Sequence, residues 1–99
     1  MNMDEMADAI RHRRVLKAYY DGGERIFEPH SCGYGSSRQG LVRCYQVSGF
    51  SQSGKSSGWK LWLLEKISSC SATGSTFENP RDGYNSLGDR HIPTIVEKV

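Results

Sequence analysis

Gly58-Trp59-Lys60-Leu61-Trp62-Leu63-Leu64-Glu65-Lys66-Ile67 decides how this chain folds. It holds both tryptophans and the densest apolar run, with lysines at 60 and 66. Side chains alternate along a strand, so Lys60, Trp62 and Leu64 take one face and Trp59, Leu61 and Leu63 the other. A strand apolar on both faces has to be covered twice. Either a small sheet closes on itself with something packed outside it, or the strand lies at a subunit contact. The lysines would then stand at the rims of the covered region, which suits binding a polar or anionic partner better than it suits catalysis.

Short strands and tight turns precede this stretch. Val15–Tyr20 reads as a strand with Leu16, Ala18 and Tyr20 on one face. Asp21-Gly22-Gly23 supplies a hairpin turn, because glycine accepts positive φ at little cost. Arg25–His30 is its partner, ended by Pro29, which cannot donate to a ladder and so marks an edge or a departure from the sheet. Cys32–Gly40 reads as a Gly/Ser loop, Leu41–Val47 as a third strand and Ser48–Gly58 as a second Gly/Ser loop. Trp59–Leu64 is a fourth strand, Lys66–Ala72 a fifth and Ile92–Val99 a last short one, after turns around Asn79–Asn85. Ahead of all these, Met3, Met6, Ala7 and Ile10 recur at helical spacing, predicting a helix over Met3–Arg14. Asn2 is placed to cap it, Asp4 and Glu5 lie in its first turn, and Arg11, Arg13 and Arg14 suit the negative end of its dipole.

A chain of 99 residues, 36% hydrophobic and 24% charged, has room for one modest core, and dimerisation would help it. One domain over 1–99 is the expectation: a helix over about 3–14, a barrel over about 15–78 and a turn-rich tail over 79–99. The fold class expected is mainly β with one N-terminal helix, as a small antiparallel barrel. The net charge of +2 says little, but its distribution says more. No acidic residue lies between Glu28 and Glu65, an interval that carries Arg38, Arg43, Lys55 and Lys60. That asymmetry fits either an uneven solvated surface or one basic face for an anion or a nucleic-acid backbone.

Cys32, Cys44 and Cys70 are an odd, widely spaced set that makes neither a zinc spacing nor a disulfide framework. Buried free thiols in a reducing compartment are expected, with no metal. The first twenty residues are charged and helical in pattern, unlike a signal peptide. The apolar run Leu61–Leu64 is far too short to cross a bilayer. A cytoplasmic protein with no membrane association is expected.

Gly49-Phe50-Ser51-Gln52-Ser53-Gly54-Lys55-Ser56 fits the phosphate-loop pattern G-x-x-x-x-G-K-S. Its context does not fit. A helix must begin at the Lys-Ser so that its N-terminus faces the phosphate, whereas Ser57-Gly58 and a tryptophan-rich strand follow. Nucleotide hydrolysis is therefore not expected. Nor is other catalysis: His30, His91 and the cysteines are not brought together by spacing, and the carboxylates show no paired spacing. No cofactor is implied.

Several segments together, in order and spacing, resemble the WYL-domain family. Arg13-Arg14-Val15-Leu16-Lys17 looks like the end of its opening helix and its first strand, and Tyr20-Asp21-Gly22-Gly23 like its first hairpin. Arg25-Ile26-Phe27-Glu28-Pro29-His30 matches its Glu-Pro-aromatic/His strand end. Gly58–Ile67 parallels its W-R-T-F-R-L-D-R-I block, and Thr76-Phe77-Glu78 looks like its closing phenylalanine. The resemblance covers roughly residues 8–80. The W-Y-L triplet is not intact, since Gly40-Leu41-Val42 stand about where it would fall, and lysines replace two arginines of the tryptophan block.

The resemblance implies an SH3/Sm-like barrel that binds rather than catalyses. Its ligand would be single-stranded nucleic acid or a small anionic molecule, and its setting a bacterial transcription regulator or phage-defence system. Carried over by position, the binding residues are His30, Lys60 and Lys66; Arg43, Tyr45 and Trp59 are added from the adjoining strands of this sequence. Cations would neutralise phosphate and aromatic faces would stack bases. Each has a structural alternative: Tyr45 and Trp59 as core, His30 as a satisfied strand-end side chain, Lys66 as a surface ion-pair partner. Leu61 and Leu63, apolar where the family is polar, suggest an interface for a homodimer or a regulator partner. On that alternative the chain is an interaction module and accessory subunit.

Overall fold

The structure, a computed structural model, describes residues 1–52 and 54–99. Ser53 of the phosphate-loop-like stretch lies outside the described residues. The elements are α1 (Met3–Arg11), β1 (Arg14–Tyr20), β2 (Gly23–Tyr34), β3 (Gly40–Gly49), β4 (Gly58–Leu63), a 3-10 turn (Leu64–Lys66), β5 (Ser68–Thr76) and β6 (Thr94–Lys98). The protein is mainly β with one N-terminal helix, as its sequence implies. β4 follows the Lys55-Ser56 loop, and no helix starts there.

α1 begins as its sequence dictates. The Asn2 side chain accepts from the Glu5 N–H at 2.8 Å and the Glu5 carboxylate accepts from the Asn2 N–H at 3.0 Å, a reciprocal capping box. The helix ends three residues before the expected Arg14. Arg13 takes a left-handed φ of 52°, which stops the helix and turns the chain into β1.

All strand pairs are antiparallel, in the order β4-β3-β2-β1-β5, with β6 also on β2. Asp21 and Gly22, at φ 46° and 97°, form the two-residue hairpin turn with both central residues left-handed. β4 and β5 lie at opposite ends of that order. Four steps of about 4.8 Å would set them roughly 19 Å apart in a flat sheet, yet the 3-10 turn between them rises only about 6 Å. The sheet is therefore strongly curled. Among the described residues no pairing joins β4 to β5, so it stays open.

The largest departure from the sequence expectation is β2, which runs on to Tyr34 through residues that read as loop. β6, arriving from the C-terminus, pairs Ser31–Tyr34 and supplies the ladder that the local Gly/Ser composition did not advertise. Pro29 falls at a bulge in the β2–β3 register. It sits between the last β2 residue paired with β1, Phe27, and the first paired with β6, Ser31. β5 is shifted to Ser68–Thr76 from the expected Lys66–Ala72, because Leu64–Lys66 are taken into the 3-10 turn.

One apolar cluster packs α1 against the inner face of the sheet: Met6 and Ile10 from the helix, Leu16, Phe27, Val42, Cys44 and Trp62 from the strands. Trp62 is its centre, stacked on Tyr20 at 4.7 Å and edge-on to Phe27 at 4.9 Å. Cys32 and Cys44 are buried free thiols and Cys70 is half-buried. Burial pushes the Cys32 thiol up to about 11 and that of Cys44 higher. No described helix is long and apolar enough to cross a membrane.

Candidate binding site

The outer face of the sheet carries the polar chemistry. In the register, Tyr45 lies opposite both Glu28 and Trp59, and Arg43 opposite both Ser31 and Leu61. Alternation puts these side chains on the face away from Cys44 and Trp62. The bulge after Pro29 leaves His30 on the same side, against Trp59, Phe77 and Tyr84. The strand that reads as apolar on both faces is thus covered twice within one chain, by the α1 core inside and by residues 77–92 outside.

Directed hydrogen bonds hold this outer cover. The Phe77 N–H donates to the Arg13 carbonyl at 2.9 Å, and the Arg13 guanidinium donates to the Glu78 carbonyl. The Arg81 guanidinium makes a two-pronged pair with Glu28, at 2.8 and 3.1 Å, and lies 4.7 Å over the Tyr45 ring. That hydrogen-bonded pairing with Glu28 raises the Arg81 pKa. The Trp59 indole N–H donates to the Asp82 carbonyl at 2.8 Å. Gly83 crosses the same indole at φ 93°, where a Cβ would meet Trp59 Nε1 at 3.0 Å. The Tyr84 hydroxyl donates to the Val99 carbonyl at 3.0 Å.

His30 is the buried pin of this arrangement, with no exposed surface. Its Nδ1 lies 2.8 Å from the Glu28 carbonyl, which can only accept, so Nδ1 carries the proton. Its Nε2 accepts from the Arg81 backbone N–H at 3.1 Å. Burial pulls the His30 pKa below its ordinary value. Both ring nitrogens are used internally, so the imidazole anchors the cover, whereas the sequence reading placed it among the ligand contacts.

Beyond the anchor the cover lifts into a cleft of about 310 Å³, lined by Ser31, Arg43, Trp59, Tyr84, Asp89 and His91 among others. Arg43 Nε and Nη2 donate to the two Asp89 oxygens at 2.7 and 3.3 Å. Burial of Asp89 opposes its charge. The Arg43 hydrogen bonds and the His91 backbone N–H more than offset that, and the carboxyl titrates below the usual range. Arg43 Nη2 also reaches His91 Nδ1 at 3.1 Å. Arginine only donates, so Nδ1 accepts and the neutral ring carries its proton on Nε2. Asp89 Oδ1 stands 3.6 Å from that Nδ1, too far for a hydrogen bond. Arg90 lines the same cleft, is exposed and has no ion pair among the described residues. A second, more open hollow of about 500 Å³ lies along Tyr45, Phe77 and Arg81. Its Glu28 and Arg81 charges already satisfy each other.

Four of the six expected binding residues, His30, Arg43, Tyr45 and Trp59, therefore share the outer face, and two do not. Lys60 lies opposite Cys44 on the inner-face side of β4, with its Nζ 3.3 Å from both Ser51 Oγ and the Lys55 carbonyl. Lys66 is exposed in the 3-10 turn beyond the end of β4. The single patch expected to hold Lys60 with Arg43 does not form, because strand alternation sends them to opposite faces. Leu61 and Leu63 are half-buried, and the Leu63 N–H donates to the Tyr20 hydroxyl at 3.2 Å. The exposed large apolar side chains among the described residues are Tyr19, Tyr34, Val47, Phe50, Leu87 and Val96.

Sequence reasoning missed Ser31, Tyr84, Asp89, Arg90 and His91. One signal pointed to them. With no acid between Glu28 and Glu65, a half-buried Arg43 needs a carboxylate from far along the chain, and the late acids are the available supply. No protein-family model matches the chain, and no curated protein or solved structure matches it either.

Proposed function

We propose that this protein is a non-enzymatic binding module of a regulatory system, recognising an anionic ligand in the cleft between the outer face of β2–β4 and residues 83–91. The observation that carries this reading is the meeting of Arg43, Trp59, Tyr84 and His91 around one cleft, an aromatic wall beside cationic donors. Arg90 adds a cation in excess of what Asp89 neutralises. The geometry favours binding over chemistry. Ser31, His91 and Asp89 line one cleft, but His91 Nδ1 takes a hydrogen bond from Arg43 in place of giving one to Asp89. With Nε2 protonated and the Nδ1 lone pair accepting from Arg43, the ring has no lone pair left to activate a hydroxyl.

The architecture supports kinship with small SH3/Sm-like barrels, and so the WYL resemblance. What supports that reading is the order β4-β3-β2-β1-β5, a curled open sheet with a 3-10 turn carrying the chain from one outer strand to the other. Single-stranded nucleic acid or a small anion would be the ligand, and the test is direct. Binding of oligothymidylate by the full chain, measured at several salt concentrations, should weaken as salt rises, and Arg90→Glu should weaken it about tenfold or more. Arg90 has no ion pair or hydrogen bond among the described residues, so its loss should leave stability unchanged. Binding that is indifferent to both salt and Arg90 would refute an anion site here.

A further inference from the structure

We infer that the cleft is built for a small planar oxyanion, an aromatic or heteroaromatic ring bearing a carboxylate or phosphate, and that the Ser31 hydroxyl hydrogen-bonds to it. This rests on the binding reading above and narrows it to one ligand class.

The polar atoms around the cleft are unequally committed. The carboxylate and amide acceptors are engaged: both Asp89 oxygens by Arg43, and Asn85 Oδ1 by the Leu87 N–H at 3.0 Å. The donors are not. Arg43 uses Nε and Nη2, while Nη1 has no acceptor among the described residues. The His91 Nε2–H and the Arg90 guanidinium likewise have no partner there. A cleft whose cationic donors are free while its carboxylate is already engaged calls for a ligand rich in lone pairs and negative charge.

Ser31 adds an independent sign. It is 97% buried, since only 3% of its surface is exposed, and it lines the cleft. Its hydroxyl makes no hydrogen bond within the described residues, yet no fully enclosed side-chain atom is left unsatisfied. The hydroxyl therefore opens onto the cleft, its one accessible direction. A buried hydroxyl is normally paired, and one left open at the side of a cleft is where a bound molecule supplies the partner.

The walls set the shape. Trp59 and Tyr84 have their N–H and O–H tied to backbone carbonyls, so they offer only ring faces and edges. Ring walls favour a flat, unsaturated body. A volume of about 310 Å³ sits at the lower end of the roughly 300–1,000 Å³ range of small-molecule sites. It has room for one ring system with a charged substituent and none for a strand of several nucleotides.

NMR titration of the full chain tests this. Benzoate, phenyl phosphate, cyclohexanecarboxylate, inorganic phosphate and oligothymidylate are added in turn, following the backbone amides and the Trp59 indole N–H. Saturable shifts at Trp59, Gly83 and Gly88 with benzoate or phenyl phosphate are expected, and the tighter of the two names the head group. Cyclohexanecarboxylate should bind about fivefold more weakly than benzoate for want of a flat face. Ser31→Ala, a change too small to disturb packing, should weaken the better probe about tenfold. Unchanged affinity in Ser31→Ala would overturn the part assigned to that hydroxyl, and inorganic phosphate binding as well as the ring compounds would overturn the planar body. If oligothymidylate shifts these groups and neither ring compound does, the small-ligand inference fails while the binding reading stands. If nothing shifts them, both fail.

Discussion

The two tryptophans of β4 sit three residues apart on opposite faces of one sheet, and different forces hold them. Trp62 is 3% exposed among Tyr20, Phe27 and the apolar cluster under α1. Trp59 is half-buried, fixed by an N–H donated to Asp82 and bracketed by His30, Tyr45 and Tyr84. The inner face is packed by area, which is non-directional and hard to switch. The outer face is fastened by a few directed bonds, to His30, Glu28, Arg43 and Trp59. Such a layer can be loosened by one proton or one lost side chain without dissolving the core. A fold that keeps its adjustable layer on the face opposite its core can reshape the cleft under that layer at little risk to its stability.

Variants on the two faces break that comparison at different scales. The largest effect belongs inside: Trp62→Ala should cost about 3–5 kcal/mol and lower the urea midpoint of the whole protein. An intact midpoint would deny the inner face its role as the core. Next comes Arg81→Ala, which strands the buried Glu28 carboxylate and uncovers Tyr45. Arg81 is part-exposed, so water offsets some of the loss, and about 2 kcal/mol is expected. Hydrogen exchange should locate that loss in residues 77–92, leaving β1 and β3 protected. Uniform loss across the sheet would contradict a separable outer layer.

The smallest effect is that of pH. The folded state holds His30 neutral, with its pKa below the ordinary value. An unfolded chain takes up that proton near pH 6.5. The stabilisation is therefore complete above about pH 6.5 and declines as pH falls below it, towards the depressed folded value. A protonated Nε2 cannot accept from the Arg81 N–H, so exchange of that amide should quicken first. Asp8 and Asp89 titrate in a separate, more acidic window. Arg14 hydrogen-bonding lowers Asp8, and Arg43 with the His91 N–H outweighs burial at Asp89. Their contributions are present above about pH 4 and lost only below it. An Arg81 amide whose protection relative to β3 did not change between pH 7 and pH 5 would contradict the histidine pin.

What was readable in the sequence follows the same division. Local chemistry was legible: the Asn2 cap with Glu5 in the first turn, and the Asp21-Gly22 turn. Arg43, Tyr45 and Trp59 were legible as neighbours because they follow from strand pairing. The end of α1 was not, because Arg11–Arg14 suit a last helical turn until Arg13 turns left-handed. The far half of β2 was hidden because its partner β6 lies some sixty residues away. The cover over 77–92 was hidden for a related reason: Asp82-Gly83 reads as a turn, and nothing nearby announces that its carbonyl meets an indole. Lys60 was grouped with Arg43 although the alternation that separates Trp59 from Trp62 also separates Lys60 from Arg43. Charge drew it into the patch, and backbone geometry takes it out.

The central claim is that the anion site lies on the outer face under the cover and excludes the lysines of β4 and the 3-10 turn. Amide-shift mapping of a saturating anionic ligand, phenyl phosphate or oligothymidylate, tests it most directly. The account predicts shifts at the Trp59 indole, Gly83, Gly88 and His91, with Lys55, Lys60 and Lys66 still. Shifts centred on those three lysines, with the Trp59 indole unmoved, would contradict it.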